Sequence, residues 1–130
     1  MEDYKPSSYF AFFDKLEVVH KSNGIRKNFM DFWNKNSDAI KKQLVLDTSD
    51  TDICFSATTG NTAISKKNID AYKHFVLGIH NEDTGKWTVY TLKKEILKEK
   101  LRNKDRLNIN TGNVEKFVFM NGNQPLKYEE

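Results

Sequence analysis

The sequence is poor in cysteine, proline and glycine, with one, two and six among its 130 residues. A single cysteine, Cys54, cannot form a disulfide within the chain, which favours a reducing compartment and predicts a cytoplasmic location. Residues 1–30 lack the basic start, apolar run and small-residue site of a signal peptide, so we expect none. No apolar run approaches the roughly 18 residues that a membrane span needs, so we expect no membrane partner.

A complete catalytic or phosphate-binding motif is also missing. Gly60-Asn61-Thr62 lacks the lysine ending and the following helix of a phosphate-binding loop. His74 and His80 do not have the short spacing of typical zinc ligands, so we predict no metal site and no cofactor. These gaps favour a non-catalytic protein over an enzyme.

Aromatic side chains are plentiful: nine Phe, five Tyr and two Trp. A chain of this length is most simply one domain, residues 1–130. Large rings can fill a core of modest size, since each buries roughly 150–250 Å². We predict burial of seven apolar side chains, Phe12, Phe29, Trp33, Phe55, Phe75, Leu77 and Val89.

The first third of the sequence has helical spacing of its apolar residues. Residues 9–19 form one such pattern, which residues 21–24 are predicted to break at Gly24. Residues 25–44 form a second pattern, interrupted by the polar residues 36–38, so this segment is one helix or two. We therefore expect at least two helices before residue 46.

After Leu44 the apolar spacing becomes strand-like. We predict strands over residues 52–57, 74–80, 86–91 and 115–120, with residues 62–66 as a return strand, residues 108–113 as a loop and a polar tail at the end. Residues 92–103 should form a basic amphipathic helix. The fold class is therefore α+β, with N-terminal helices and an antiparallel or mixed sheet of about 4–6 strands.

Positive charge is concentrated in one part of the sequence. The net charge is only +3, but residues 61–110 carry eleven basic and six acidic side chains. Such a patch can attract an anionic partner, or it can be a solvated helix face. Trp87 and Tyr90 could stack on unpaired bases if they are exposed, and would otherwise belong to the core. The predicted binding residues are Lys66, Lys67, Lys93, Lys94, Lys98, Lys100, Arg102, Trp87 and Tyr90.

Three acidic residues, Asp47, Asp50 and Asp52, lie close together in the sequence. If residues 50–52 are extended, Asp50 and Asp52 project on one face and could share a Mg²⁺ ion. The alternative is a turn, in which such side chains accept hydrogen bonds from their own backbone.

One stretch resembles the core of the PD-(D/E)XK restriction-type nucleases. The resemblance covers about residues 52–98 and is carried by Asp52-Ile53, by Ala63-Ile64-Ser65-Lys66 and by residues 70–77. It implies Asp52 as a ligand of Mg²⁺ and Lys66 as the lysine that assists the attacking water. The position two before Lys66 is Ile64 rather than a carboxylate, so the second acidic ligand of the family is missing.

Two functions are consistent with these observations. The first is a small non-catalytic protein that binds another protein, such as a phage- or plasmid-encoded inhibitor of a host or defence protein. The second is a nucleic-acid-associated protein, a degenerate relative of the restriction-type nucleases that uses Mg²⁺ only if it is active. The absence of a complete active site favours the first.

Overall fold

A computed structural model of the chain describes residues 21–130, with side chains from residue 24 onward. The predicted helix over residues 9–19, including Phe12, lies outside the described residues. The helices are α1 (Lys21–Leu44), α2 (Lys66–Ala71) and α3 (Lys94–Leu101), with 3₁₀ helices at Asp50–Asp52 and Val114–Phe117. The strands are β1 (Ile53–Thr58), β2 (Asn61–Ser65), β3 (His74–Asn81), β4 (Lys86–Leu92), β5 (Arg106–Asn110), β6 (Met120–Asn121), β7 (Gln124–Pro125) and β8 (Lys127–Glu129).

The main sheet has four strands in the order β1-β3-β4-β8. β1 and β3 are parallel, whereas β3 with β4 and β4 with β8 are antiparallel. β2 pairs with β5, and β6 pairs with β7, in two separate antiparallel ladders. The predicted α+β class with a mixed sheet is confirmed. No helix in the described part of the chain is long and apolar enough to cross a membrane.

The central strand β3 is covered on both faces, as its unbroken apolar sequence predicts. Phe75 and Leu77 pack into a core shared with α2, α3 and the β2–β5 ladder. Val76 lies on the opposite face, in a second core beneath α1. Because successive side chains of a strand alternate between faces, one strand contributes to both cores. All six of the predicted core residues that are described are buried.

The helix α1 is continuous, so the predicted break at residues 21–24 is wrong, and residues 25–44 are one helix rather than two. The Asn36 side chain donates to the carbonyl oxygen of Phe32 at 2.9 Å, which satisfies the amide inside the helix instead of ending it. Trp33 and Ile40, on either side of this polar step, are fully buried and hold the helix against the sheet. The packing of Trp33 and Ile40 thus outweighs the preference of the polar residues 36–38 for ending a helix.

Three predictions of the strands were wrong. The predicted strand at residues 62–66 is β2 at residues 61–65, but it pairs with β5 and not back onto β1. The predicted loop over residues 108–113 begins as β5, whose partner is far away in the sequence. Residues 115–120 do not form one strand, because residues 114–117 are a 3₁₀ helix and Val118 makes a single bridge to Leu92.

The edge strand β8 was missed because it lies in a short polar segment. Tyr128 pairs with Val89 and packs against the core beneath α1, whereas Lys127 and Glu129 form an ion pair at 2.9 Å. The strand is further held by Glu130, whose carboxylate accepts a hydrogen bond from the Trp87 backbone N–H at 2.9 Å. Three residues are too few for a strand pattern to be recognised.

The closest approach between α1 and the sheet occurs at Gly78. A Cβ atom placed on Gly78 would lie 2.4 Å from two carbon atoms of the Phe29 ring. Phe29 is fully buried and its ring also contacts those of Trp33, Phe55 and Trp87. The ring therefore has no room to retreat, and only glycine allows this distance.

We predict that Gly78→Ala destabilises the protein by about 1–3 kcal/mol, because an added methyl group overpacks a filled core. Gly60→Ala is the matched control, since a Cβ there meets nothing within 4 Å, and it should change stability by less than about 0.5 kcal/mol. Urea denaturation measures both. If the clash with the ring is the cause, Phe29→Leu should lower the free energy of unfolding less in the Gly78→Ala background than in the wild type.

Candidate binding surface

The two short helices α2 and α3 each bury one apolar side and expose a basic one. Ser65 caps α2 by accepting a hydrogen bond from the Asn68 N–H at 3.2 Å, and Ile69 anchors the helix in the core. In α3, Leu97 and Leu101 are buried one turn apart. The lysines between these anchors therefore project outward, as the amphipathic spacing predicts.

Lys94 joins the two helices. Its ammonium group donates to the carbonyl oxygen of Tyr72 at 2.8 Å and to that of Asp70 at 3.3 Å. These carbonyls belong to the last turn and the cap of α2, where a helix favours a positive charge. The beginning of α3 is thereby fixed against the end of α2, and the basic sides of the two helices become one surface.

Asp70 lies at the centre of this surface. Its carboxylate accepts a hydrogen bond from Lys66 at 2.8 Å, and both side chains are about half exposed. The pKa of the Asp70 carboxyl is lowered, mainly by this hydrogen bond and further by the positive charges of Lys98 and Lys94. Several cations thus surround one carboxylate, and the surface keeps an excess of positive charge.

We define the basic face as the cationic side chains of α2, of α3 and of the residues that flank α3. Lys66 bonds the carboxylate of Asp70, Lys94 bonds its backbone carbonyl, and the positive charge of Lys98 helps to lower the pKa of the Asp70 carboxyl. Lys67, Lys100 and Arg102 are exposed on the same two helices or at their ends, and Lys93 is half-buried. We use the name for seven side chains, of which Lys98 and Lys100 flank the buried Leu97 and Leu101 on opposite sides of α3. They are Lys66, Lys67, Lys93, Lys94, Lys98, Lys100 and Arg102.

Trp87 and Tyr90 do not belong to this surface, which corrects their place among the predicted binding residues. Trp87 is 6% and Tyr90 7% exposed. The Trp87 ring is stacked on Phe32 with 6.0 Å between centroids, beneath α1. Burial raises the pKa of the Tyr90 hydroxyl. Neither ring is accessible for stacking on a base.

Among the acidic residues near the start of β1, Asp50 has structural partners. Residues 50–52 form a 3₁₀ helix rather than an extended segment, so the structure shows the turn alternative and Asp50 and Asp52 do not share a strand face. The Asp50 carboxylate accepts from the Trp33 indole N–H at 3.1 Å and pairs with Lys41 at 3.0 Å. Asp52 is exposed at the end of this helix. Within residues 24–130 no group of three His, Cys, Asp or Glu side chains could hold a metal ion.

A polar cleft of about 300 Å³ lies between the outer edge of β1 and β2. Arg26, Cys54, Ser56, Asn68 and Tyr72 are among its lining residues. Burial raises the pKa of the Cys54 thiol, an effect that the nearby charge of Arg26 partly opposes. The thiol is therefore a poor nucleophile, in agreement with the buried apolar role that its alternating neighbours suggest.

A second cleft, of about 320 Å³, lies where α1 ends. Five of its lining residues are buried, namely Leu44, Leu46, Phe75, Thr91 and Leu92. Val45 and Phe119 stand at its rim and are 81% and 42% exposed. This cleft, which we call the Val45 cleft, has no signature in the sequence, because its lining residues come from five separated segments.

Val45 has an unusual backbone conformation for its residue type. Its φ is +52°, and Val45 N–H and Leu46 N–H donate to the carbonyls of Lys42 and Lys41. This is the helix ending in which glycine is normally found, because a side chain in the left-handed region is strained. A β-branched side chain fits there least well.

Thr91 is the second unusual residue of the Val45 cleft. It is only 5% exposed, and its hydroxyl has no hydrogen-bond partner among the described residues. Thr58, which is buried to a similar degree, donates to the Asn61 carbonyl at 2.7 Å and accepts from the Gly60 N–H at 3.0 Å. A buried hydroxyl without a partner costs free energy of folding.

Comparison of the chain with protein-family models, with curated proteins and with solved structures finds no match in any of the three. Function is therefore inferred from the surfaces just described.

We predict that Thr91→Val raises the free energy of unfolding by about 1 kcal/mol, because it removes an unpaired buried hydroxyl at constant shape. The matched substitution Thr58→Val should lower it by about 1–2 kcal/mol, since it leaves Gly60 N–H without its acceptor. Chemical denaturation of the two variants gives both values. A loss of stability in Thr91→Val equal to that in Thr58→Val would contradict the assignment.

We also predict that Val45→Gly stabilises the protein by about 1 kcal/mol, because glycine adopts positive φ without strain. Val45→Ala keeps a Cβ atom in the same conformation and is the control. Its gain in free energy of unfolding should be well below that of Val45→Gly. The midpoint of urea unfolding reports the difference. Equal midpoints for the glycine and alanine variants would show that Val45 is not strained.

Proposed function

We propose that this protein is a non-catalytic binding module that docks on an acidic protein surface through its basic face. The observation that supports this most is that Lys66 and Lys94, from two helices distant in sequence, bond the carboxylate and the backbone carbonyl of the same residue, Asp70. Lysines that form only a solvated surface would have no reason to approach the same residue. An inhibitor of a host or defence protein needs only such a surface and no catalytic group.

Apolar side chains beside the basic face favour a protein partner over nucleic acid. Lys93 lies over the Phe119 ring, 5.4 Å from its centroid, and Phe119 and the neighbouring Met120 are both largely exposed. Protein interfaces combine an apolar centre with a charged rim, whereas phosphate contacts need cations alone. Since Trp87 and Tyr90 are buried, the two rings that the sequence offered for stacking on unpaired bases are not part of this surface.

Charge reversal tests the proposal. In the double variant Lys98→Glu/Lys100→Glu, we expect binding of an acidic peptide, decaglutamate, to weaken about tenfold at low salt, because attraction becomes repulsion at two exposed positions. The control Lys27→Glu/Lys35→Glu changes the net charge equally on α1, across the sheet, and should bind as the wild type does. Fluorescence anisotropy measures both.

Random duplex DNA, titrated over a range of salt concentrations, separates the two kinds of partner. Nucleic acid would be favoured instead if the protein binds duplex DNA more tightly than the peptide. The slope of log binding constant against log salt concentration should then fall by about 0.9 for each phosphate-binding lysine that is replaced. If the two double variants bind each probe with the same affinity as one another, the basic face is only a solvated surface.

A further inference from the structure

A protruding side chain and a concave site lie next to each other where α1 ends. Val45 is 81% exposed at the rim of the Val45 cleft, whose volume is about 320 Å³. Its backbone is held in the left-handed region, where a glycine would be relaxed and would present no side chain. Strained residues tend to coincide with functional sites, because a function there outweighs the lost stability.

The exposed apolar side chains of the described residues gather at this cleft. Within residues 24–130, the exposed large hydrophobic residues are Val45, Phe119 and Met120. Val45 and Phe119 line the cleft together with the half-buried Leu126, and Met120 follows Phe119 in the chain. Exposed apolar residues that are grouped together mark an interaction surface, whereas single ones are normal on any protein. The cleft is therefore expected to contact another protein chain.

The charges of the lining indicate which chain this is. Asp47 and Lys73 are the acidic and the basic residue of the lining, and both are exposed. Within residues 24–130 neither side chain forms an ion pair. A partner of one charge sign would be attracted by one of them and repelled by the other. When two identical surfaces meet about a twofold axis, each carboxylate can face the ammonium group of the other copy. The cleft is thus complementary in charge to itself.

We propose that the Val45 cleft is the interface of a homodimer, in which two copies of this chain pack about a twofold axis. Val45 of each copy inserts into the cleft of the other and packs on Phe119 and Leu126. Asp47 of each copy faces Lys73 of the other. A protruding side chain beside a cleft is the shape that such a self-complementary contact requires. The inference goes beyond the proposed function and does not rest on it, since Val45, Asp47 and Lys73 lie outside the basic face.

The contact is small, so the dimer should be weak and reversible. It uses one cleft per copy, whereas a stable interface of standard size involves roughly 20–30 residues on each side. Sedimentation equilibrium of the full chain should therefore show monomers at about 10 μM and a growing fraction of dimers towards about 1 mM. Over the same range, the ¹⁵N-labelled protein should show amide shifts that depend on concentration at Leu46, Lys73 and Phe119.

Exchange of the two charges tests the pairing. In Asp47→Lys two lysines face each other twice across the axis, and in Lys73→Asp two carboxylates do, so each variant should dimerise about fivefold more weakly than the wild type at low salt. The double variant Asp47→Lys/Lys73→Asp restores both attractions and should regain the wild-type dissociation constant. An equimolar mixture of the two single variants should form heterodimers more tightly than either variant dimerises alone. The control Lys35→Asp makes the same charge change as Lys73→Asp on the exposed side of α1 and should have no effect.

The variant Val45→Gly separates dimerisation from folding. It removes the protruding side chain from both copies and should weaken the dimer about tenfold. At a protein concentration where the chain is monomeric, the same variant should unfold at a higher urea concentration, because its backbone strain is relieved. Weaker dimerisation together with a more stable monomer cannot result from partial unfolding.

Two results would overturn the proposal. One is a chain that stays monomeric up to about 1 mM, as expected if another segment of the same chain or a different protein covers the cleft. The other is a dimer that is unaffected by the charge exchange and by Val45→Gly, since its interface would then lie elsewhere. Phe119 lies next to Lys93 of the basic face, so decaglutamate binding is also measured with monomeric Val45→Gly. That titration reports on the proposed function alone.

Discussion

The contact between the Phe29 ring and Gly78 determines how α1 sits on the sheet. Only a residue without a side chain lets the ring approach β3 so closely. With the helix at this depth, Trp33 reaches Asp50 and its ring meets that of Phe55 edge-on, with 4.9 Å between centroids. The start of β1, the burial of Trp87 and the position of the last turn of α1 all depend on this one approach.

That last turn shows how a packing constraint becomes a surface feature. Leu44 and Leu46 are both buried against the sheet, so the backbone between them must reverse within one residue. The left-handed conformation of Val45 achieves the reversal, and its side chain is thereby directed to solvent. The cleft below it is a consequence of where α1 ends.

The sequence predicted the elements whose pattern is local. Residues 74–80 are apolar on both faces and form the central strand, and the alternation from Ile53 to Ala57 forms β1. The pairing of β2 with β5 could not be predicted, because a strand pattern does not name its partner. The burial of Trp87 depends on α1, which no local pattern around residue 87 reveals.

The same limit applies to the candidate sites. Charge along the sequence identified the lysines of α3, but the joining of Lys66 with Lys98 requires the packing of α2 on α3. Thr91 has the sequence context of an ordinary strand residue, since a buried threonine is unusual only when its hydroxyl lacks a partner. Such a property exists only in three dimensions.

The separation of β2 from β5 also sets an order of assembly during synthesis. β1, β3 and β4 can pair with one another once residue 92 has left the ribosome, whereas β2 has no strand partner until residues 106–110 follow. α3 is made before β5, with which it shares a core. The basic helix can therefore pack on β3 and β4 as it emerges, but the part of its core that β5 supplies stays open until that strand follows, and exposed apolar surface of this kind favours aggregation.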